Sequence, residues 1–303
     1  MPKVSVIIPT YNCAQYIREA MDSALTQSFN DYEIIVVDDG STDNTKQIIE
    51  NYCRRYGERV RYVFQQNQGM CVARNNAIRA MRGEYIALLD ADDRWKRDRL
   101  EEGVRILDAN PEIGLLHSGF IRIDETGRDI GIPQVKECLM SGEIFKRLLL
   151  REMHISTPTT IFRKACCDSI GLFDENLTRL GAEDRDLWLR ISLQYKVYYI
   201  NKVLAEYRVR ASSLSRKYER MMEGRIYIIN KFCSDGSGYS KLRSRALASA
   251  YKDLGDTYLF QQEFQKARQQ YLKSIMCWPF SIWPGINFLK AAFKIRVIKK
   301  PVW

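Results

Sequence analysis

The sequence predicts an α/β protein with a mostly parallel central sheet, followed by an α-helical C-terminal extension. Three observations predict it. Residues 1–125 alternate short β-rich runs with segments whose apolar residues recur at helical spacing. One run, Ile34-Ile-Val-Val37, is continuously β-branched, as a strand covered on both faces requires. From about Ser215 onward the pattern is helical, interrupted at Ser234-Asp-Gly-Ser-Gly238.

The expected strands are Val4–Ile8, Glu33–Asp38, Val60–Phe64 and Glu84–Asp90, with Ala14–Gln27, Asp43–Tyr56 and Met70–Met81 as the helices between them. The opening segment to Pro9 reads as a first strand, because its apolar run is too short and too soon interrupted for a signal peptide. Gly114–Ile123 is a further strand, turning at Asp124-Glu-Thr-Gly127. Residues 141–151 and Ala182–Leu193 are helical, the latter with Leu187, Trp188 and Ile191 on one side. Thr159–Phe162, Val197–Ile200 and Ala205–Val209 are strand-like. Residues 251–279 place Tyr251, Leu254, Gly255, Tyr258, Ala267, Tyr271 and Pro279 at the spacing of a tetratricopeptide-like hairpin; a plain helical hairpin fits equally. The expected domains are 1–214 and 215–303.

Composition narrows the class. With 303 residues, 46% hydrophobic and 28% charged, the chain can bury a full core. No run approaches the roughly 18 apolar residues of a membrane span. Eight cysteines form no CxxC pair, and neither His117 nor His154 lies near a cysteine cluster. That argues against a zinc site or disulfide framework, and for a reducing, cytoplasmic compartment. The net charge of +10 resides in residues 211–303, which hold 17 Lys and Arg against 6 Asp and Glu. A dinucleotide dehydrogenase is excluded because no G-x-G-x-x-G follows the first strand. A nucleic-acid binder is disfavoured because the basic tail carries no recognisable motif.

In parallel α/β sheets, ligands bind beyond the carboxyl ends of the strands. Acids concentrate there: Asp38-Asp39 after the second strand and Asp90-Ala-Asp92-Asp93 after the fourth. Such a cluster repels itself unless a cation intervenes, and hard oxygen ligands suit Mg²⁺ or Mn²⁺. Asp43 and Asp93 are explained as helix N-caps; Asp39, Asp90 and Asp92 are not.

The motifs Val4-Ser-Val-Ile-Ile-Pro-Thr-Tyr-Asn12, Glu33-Ile-Ile-Val-Val-Asp-Asp-Gly-Ser-Thr-Asp43, Leu89-Asp-Ala-Asp-Asp93 and Gly181-Ala-Glu-Asp-Arg-Asp-Leu-Trp-Leu-Arg190 occur in this order. Together they resemble the family-2 glycosyltransferases of the GT-A fold, over residues 1 to about 214. The resemblance implies an inverting, metal-dependent hexosyltransferase that moves a sugar from a nucleotide-diphosphate donor, expected to be UDP-linked. The acceptor is expected to be a hydroxyl of a saccharide or lipid-linked saccharide in cell-surface polysaccharide synthesis. It implies that Asp39, Tyr11 and Pro9 form the base pocket and that Arg74 and Asp90 reach the nucleotide. Asp92 is the implied ligand of Mg²⁺ or Mn²⁺, and Glu183 and Trp188 face the acceptor. Asp184 is the implied general base, with Glu183 as the alternative; helix-dipole stabilisation alone explains Asp186.

One residue departs from the pattern. Arg210 stands in Glu206-Tyr-Arg-Val-Arg-Ala-Ser-Ser-Leu-Ser215 where many relatives place a histidine. Arginine cannot ligate a cation, but its fork can clamp the diphosphate. That substitution is the one support for an alternative in which the chain is a degenerate nucleotide-sugar-binding scaffold acting through its tail. The tail's last stretch, Trp278–Trp303, sets aromatics beside Lys290, Lys294, Arg296, Lys299 and Lys300. That suits peripheral attachment to an anionic inner membrane face. The rival is a helix that packs its aromatics on the hairpin.

Overall fold

The computed structural model describes residues 1–131, 141–142, 144–210 and 218–295. The expected 214/215 boundary, and Arg296, Lys299, Lys300 and Trp303, lie outside the described residues. The chain divides into two compact units. One comprises Met1–Phe145, His154–Thr178 and Glu183–Ala211; the other comprises Lys146–Met153, Arg179–Ala182 and Ser212–Trp303. Two short internal segments thus group with the helical unit, which the contiguous division expected from sequence does not anticipate.

The first unit is built on β1 (Val4–Thr10), β2 (Tyr32–Asp38), β3 (Val60–Phe64), β4 (Tyr85–Leu88), β5 (Arg94–Trp95), β6 (Ile113–Ile123), β7 (Ile161–Arg163) and β8 (Lys196–Arg208). They form one sheet in the order β3-β2-β1-β4-β7-β6-β8-β5. β1 pairs in parallel with β2 and β4, β2 with β3, and β6 with β8. The pairs β4–β7, β6–β7 and β5–β8 are antiparallel. Every residue of β1 and β2 is buried, which is why their sequences do not alternate. The helices α1 (Ile17–Leu25), α2 (Thr45–Tyr56), α3 (Met70–Ala80), α4 (Arg99–Ala109), α6 (Lys164–Ile170) and α7 (Glu183–Ser192) belong to this unit, while α5 (Phe145–Leu150) lies mostly in the other. Ile17, Ala20, Met21 and Ala24 of α1 and Ile48 and Ile49 of α2 join the strand residues in the core.

Most expected elements are present, with two differences of substance. The two strand-like segments 197–200 and 205–209 are one long strand, β8, because its pairing with β6 continues through irregular register near Gly119. Thr157–Thr159 is a single 3₁₀ turn ahead of the short β7.

The second unit contains α8 (Tyr218–Phe232), α9 (Arg243–Phe260), α10 (Phe264–Cys277) and α11 (Ile282–Ala292). The hairpin expected over 251–279 is α9–α10. Gly255 is required there: a Cβ on it would lie 2.7 Å from the Tyr271 ring. α11 buries Pro284 and Ala291, and Asn287 Nδ2 donates to Asp256 Oδ1 at 2.9 Å. Its other side is uncovered by the described residues: Ile282, Trp283, Ile286, Leu289 and Phe293 are all exposed. The aromatics of this helix are therefore only partly used in packing. No helix among the described residues is long and apolar enough to cross a membrane.

Candidate active site

The carboxyl ends of β1, β2 and β4 carry the site. The chain leaves β1 at Thr10 into a loop tied to the one after β2. Asn12 N–H donates to Ser41 Oγ at 2.9 Å, and Thr42 N–H donates to Asn12 Oδ1 at 2.8 Å. Asp38 serves this loop internally, accepting from Ser41 N–H and from the Tyr62 hydroxyl. Asp43 accepts from Thr45 N–H and from Ala14 N–H, but it precedes the cap of α2, which is Asn44 and not Asp43 as expected from sequence.

Asp39 is buried and accepts from Gln65 Nε2 (2.7 Å), Gln68 N–H (2.8 Å) and Gly69 N–H (2.8 Å). One acid thereby fixes the loop leading into α3. Gly69 needs to be glycine: its φ is +92°, and a Cβ would meet Thr178 Cγ2 at 2.0 Å. Pro9 is buried within β1, and Tyr11, just after the strand, is 49% exposed.

Asp90, Asp92 and Asp93 follow β4 in a turn closed by Asp93 N–H donating to Asp90 O at 3.0 Å. Two of them, Asp90 and Asp92, pair with arginines from elsewhere, and Asp93 accepts a backbone N–H. Arg74 Nη2 reaches Asp90 Oδ1 at 2.8 Å, and Arg210 Nε reaches Asp92 Oδ2 at 2.6 Å. Arg208 donates its backbone N–H to Asp93 Oδ1 at 2.7 Å and its Nε to Asp92 O at 2.7 Å. Arg208 and Arg210 also stack over Tyr16, at 4.9 and 5.2 Å. Arg74 and Arg210 supply positive charge beside Asp90 and Asp92, in addition to the cation expected from sequence. Among the described residues, no three His, Cys, Asp or Glu side chains group closely enough to hold a metal by themselves. Burial raises the Asp92 carboxyl, opposed by Arg210. Burial, reinforced by Asp92 and Asp90, pushes Asp93 well above the usual carboxylate range. Asp93 is not the helix cap expected from sequence: α4 begins later, at Arg99 behind Asp98.

The acceptor-side motif forms the first turn of α7. Glu183 is buried, its Oε1 taking Arg74 Nη1 at 2.7 Å, and burial raises its carboxyl. Asp186 is buried and paired with Arg190 at 2.8 Å. Asp184 is half-buried; its Oδ2 accepts from Thr157 Oγ1 at 3.2 Å and its Oδ1 from Arg185 N–H at 2.6 Å. Trp188 does not present itself to an acceptor. It is 1% exposed and sits edge-on against Phe162 at 5.4 Å, because its position on α7 faces the sheet. Arg74, expected at the nucleotide, is likewise 1% exposed with both guanidinium ends bonded to protein. Sequence reasoning missed Tyr16 and Gln65, which act on partners distant in the chain, and quoted the motif containing Arg208 without giving that residue a role.

A mostly parallel sheet with acids beyond its strand ends is the arrangement of the GT-A fold, and solved structures share that fold. The 1–349 portion of S. aureus TarS in complex with UDP-GlcNAc superposes with a TM-score of 0.61 at 20% identity, over 98% of this chain and 93% of that one. A Pyrobaculum calidifontis mannosyltransferase in complex with GDP-Man and Mn²⁺ gives 0.64 at 20% identity, covering 97% and 86%. Residues 5–170 match the glycosyl transferase family 2 model, and the chain belongs to that family. A putative teichuronic acid biosynthesis glycosyltransferase, TuaG of Bacillus subtilis, is 32% identical over 217 residues, covering 71% of this chain and 82% of TuaG. Other curated relatives are longer: the chain spans 36%, 64% and 29% of three of them. Asp184 and Arg210 fall beyond the matched residues.

Proposed function

We propose that this chain transfers a sugar, with inversion, from a nucleotide-diphosphate donor to a saccharide hydroxyl in polysaccharide synthesis. The observation that carries the proposal is one guanidinium bonded to both Asp90 and Glu183, which sets the donor-side acids beside the helix turn bearing Asp184. Asp184 takes the acceptor hydroxyl's proton as that oxygen bonds to the anomeric carbon. The bond from that carbon to the diphosphate oxygen breaks, and its electron pair leaves with the nucleoside diphosphate. Tyr11 stacks on the base, Pro9 lines the pocket, and Asp39 accepts from the base on a lone pair left after its own three bonds. A UDP-linked donor fits a carboxylate that accepts from the base edge.

The residues fit a divalent ion held jointly with the donor. Mg²⁺ in phosphate sites uses one or two carboxylates plus substrate oxygens, not an all-protein cage. Asp92 supplies the direct ligand and Asp90 its neighbour, and bound Mg²⁺ or Mn²⁺ would offset charge on the leaving diphosphate. Arg210 moves from Asp92 to the diphosphate when the donor enters.

The acceptor is a lipid-linked saccharide, met at an anionic membrane face on the cytoplasmic side. On α11, Ile282, Ile286, Leu289 and Phe293 lie on the side opposite Pro284 and Ala291, edged by Trp283, Lys290 and Lys294. Melting-temperature screens with UDP- and GDP-sugars, with and without Mn²⁺, test donor binding; sugar release tests chemistry. A chain stabilised by no nucleotide sugar and releasing no sugar refutes the proposal. Protein that stays in the supernatant with anionic vesicles at low salt refutes the membrane part alone.

A further inference from the structure

We infer that Arg74 is a positioning residue that ties the donor-side acid Asp90 to the acceptor-side helix α7, with Glu183 as its anchor there. The inference rests on Asp184 being the general base.

The geometry is a buried bridge with three ends. Arg74 projects from α3, donates Nη2 to Asp90 Oδ1 at 2.8 Å, and donates Nη1 to Glu183 Oε1 at 2.7 Å. Its guanidinium lies over the Phe173 ring at 5.4 Å. α3 is itself held at its start by Gly69 N–H on Asp39, and further along by Asn75. Asn75 Nδ2 donates to Phe173 O at 3.0 Å, and Asn75 Oδ1 accepts from Phe173 N–H at 2.9 Å. Arg74 is therefore anchored on a fixed helix, and both of its carboxylate partners take their places from it. A guanidinium suits this position because its planar fork bonds two carboxylates in set directions.

The bridge also separates the two consecutive acids of α7. Neighbours on a helix point about 100° apart, so Glu183 and Asp184 cannot both face the cleft. Glu183 points inward and spends Oε1 on Arg74. Asp184 stays half-buried, held by the Thr157 hydroxyl and its own backbone turn. Securing Glu183 fixes the turn from which Asp184 projects. Misplacing that turn relative to Asp90 should slow the chemical step far more than it weakens nucleotide binding, because both guanidinium ends of Arg74 are bonded to protein.

The test uses the full chain with three variants: Glu183→Gln, Arg74→Lys and Asp184→Asn. Three readouts are taken: dissociation constants for UDP and GDP with Mn²⁺, melting temperature, and the rate of sugar release per folded molecule. E183Q keeps the shape and one hydrogen bond to Arg74 but removes the anchoring charge. We expect E183Q and R74K to lose roughly 10- to 100-fold in rate, as small misplacements do. Nucleotide affinity should hold within about threefold. The double variant should be no slower than the worse single one, because both break one bridge. If R74K does not fold, E183Q decides through the same split between rate and affinity. R74K that loses nucleotide affinity while E183Q matches wild type overturns the inference in favour of direct nucleotide contact. Variants whose only defect is a lower melting temperature overturn it in favour of a purely structural ion pair. D184N with wild-type rate removes the base assignment itself. Inactive D184N beside fully active E183Q removes the bridge alone.

Discussion

The two units bury charge for different ends. In the helical unit, Arg225 pairs with Asp253 at 2.7 Å, Tyr271 with Asp256 at 2.8 Å and Tyr258 with Glu219 at 2.7 Å. Each contact joins helices that already pack through apolar faces. In the sheet unit, Arg74 and Arg210 pair with acids that follow a strand end, and Arg208 donates to the Asp92 carbonyl there. The titration shifts separate the same way. Arg225 and its neighbours hold Asp253 below the usual carboxylate range despite burial. Burial leaves Glu183, Asp92 and Asp93 above it. A buried arginine–carboxylate pair is thus no mark of function by itself. What sets Asp90 and Asp92 apart is their place beyond the carboxyl ends of the strands.

The largest expected effect is on chemistry. Asp184→Asn should lower transfer by about 10²–10⁴-fold while leaving nucleotide affinity intact. A variant within a few-fold of wild type would move the base elsewhere in the sheet unit. Next is the counter-charge. Arg210→Gln should tighten binding of Mn²⁺ alone, by freeing Asp92, yet weaken the nucleotide diphosphate by about 1.5–3 kcal/mol. Calorimetry with each ligand separately checks this, and matching changes for both ligands would break it. Asp39→Ala should cost the nucleotide a similar amount, roughly 1.5–3 kcal/mol.

The helical unit should respond in stability only. Gly255→Ala pushes a methyl into the Tyr271 ring and should cost about 1–3 kcal/mol, read as a lower melting temperature with unchanged nucleotide affinity.

The smallest effect is in pH dependence, and its sign should be opposite in the two units. Asp253 is depressed, so its advantage over Asp253→Asn is present above the unfolded value near 3.9 and fades as pH falls through the lower folded value. Glu183 is raised, so the stability of wild type relative to Glu183→Gln is greatest below the unfolded value near 4.3 and is lost as pH rises through the higher folded value. Parallel pH curves for the two variants would erase the distinction drawn between the units.

Local sequence by itself determined the elements and the floor of the site. Ile34–Val37 could only be a doubly covered strand, and placing Asp39 and Asp90 beyond strand ends followed from strand–helix alternation. The glycine at 255 and the hairpin around it were equally legible, since backbone spacing is a local property. Tertiary structure alone decided which acids are free to act. Glu183 and Asp184 are adjacent and chemically alike; a guanidinium 109 positions away in sequence turns one inward. Trp188 reads as an acceptor contact in its motif, but its face of α7 meets Phe162. Arg210 reads as a phosphate clamp, but its present bond to Asp92 depends on β8 bringing the end of the unit back to the strand-end acids. The physical reason is common to all three. Propensity and period act over a few residues, whereas charge pairing and burial are settled by whatever the fold brings within a few ångströms.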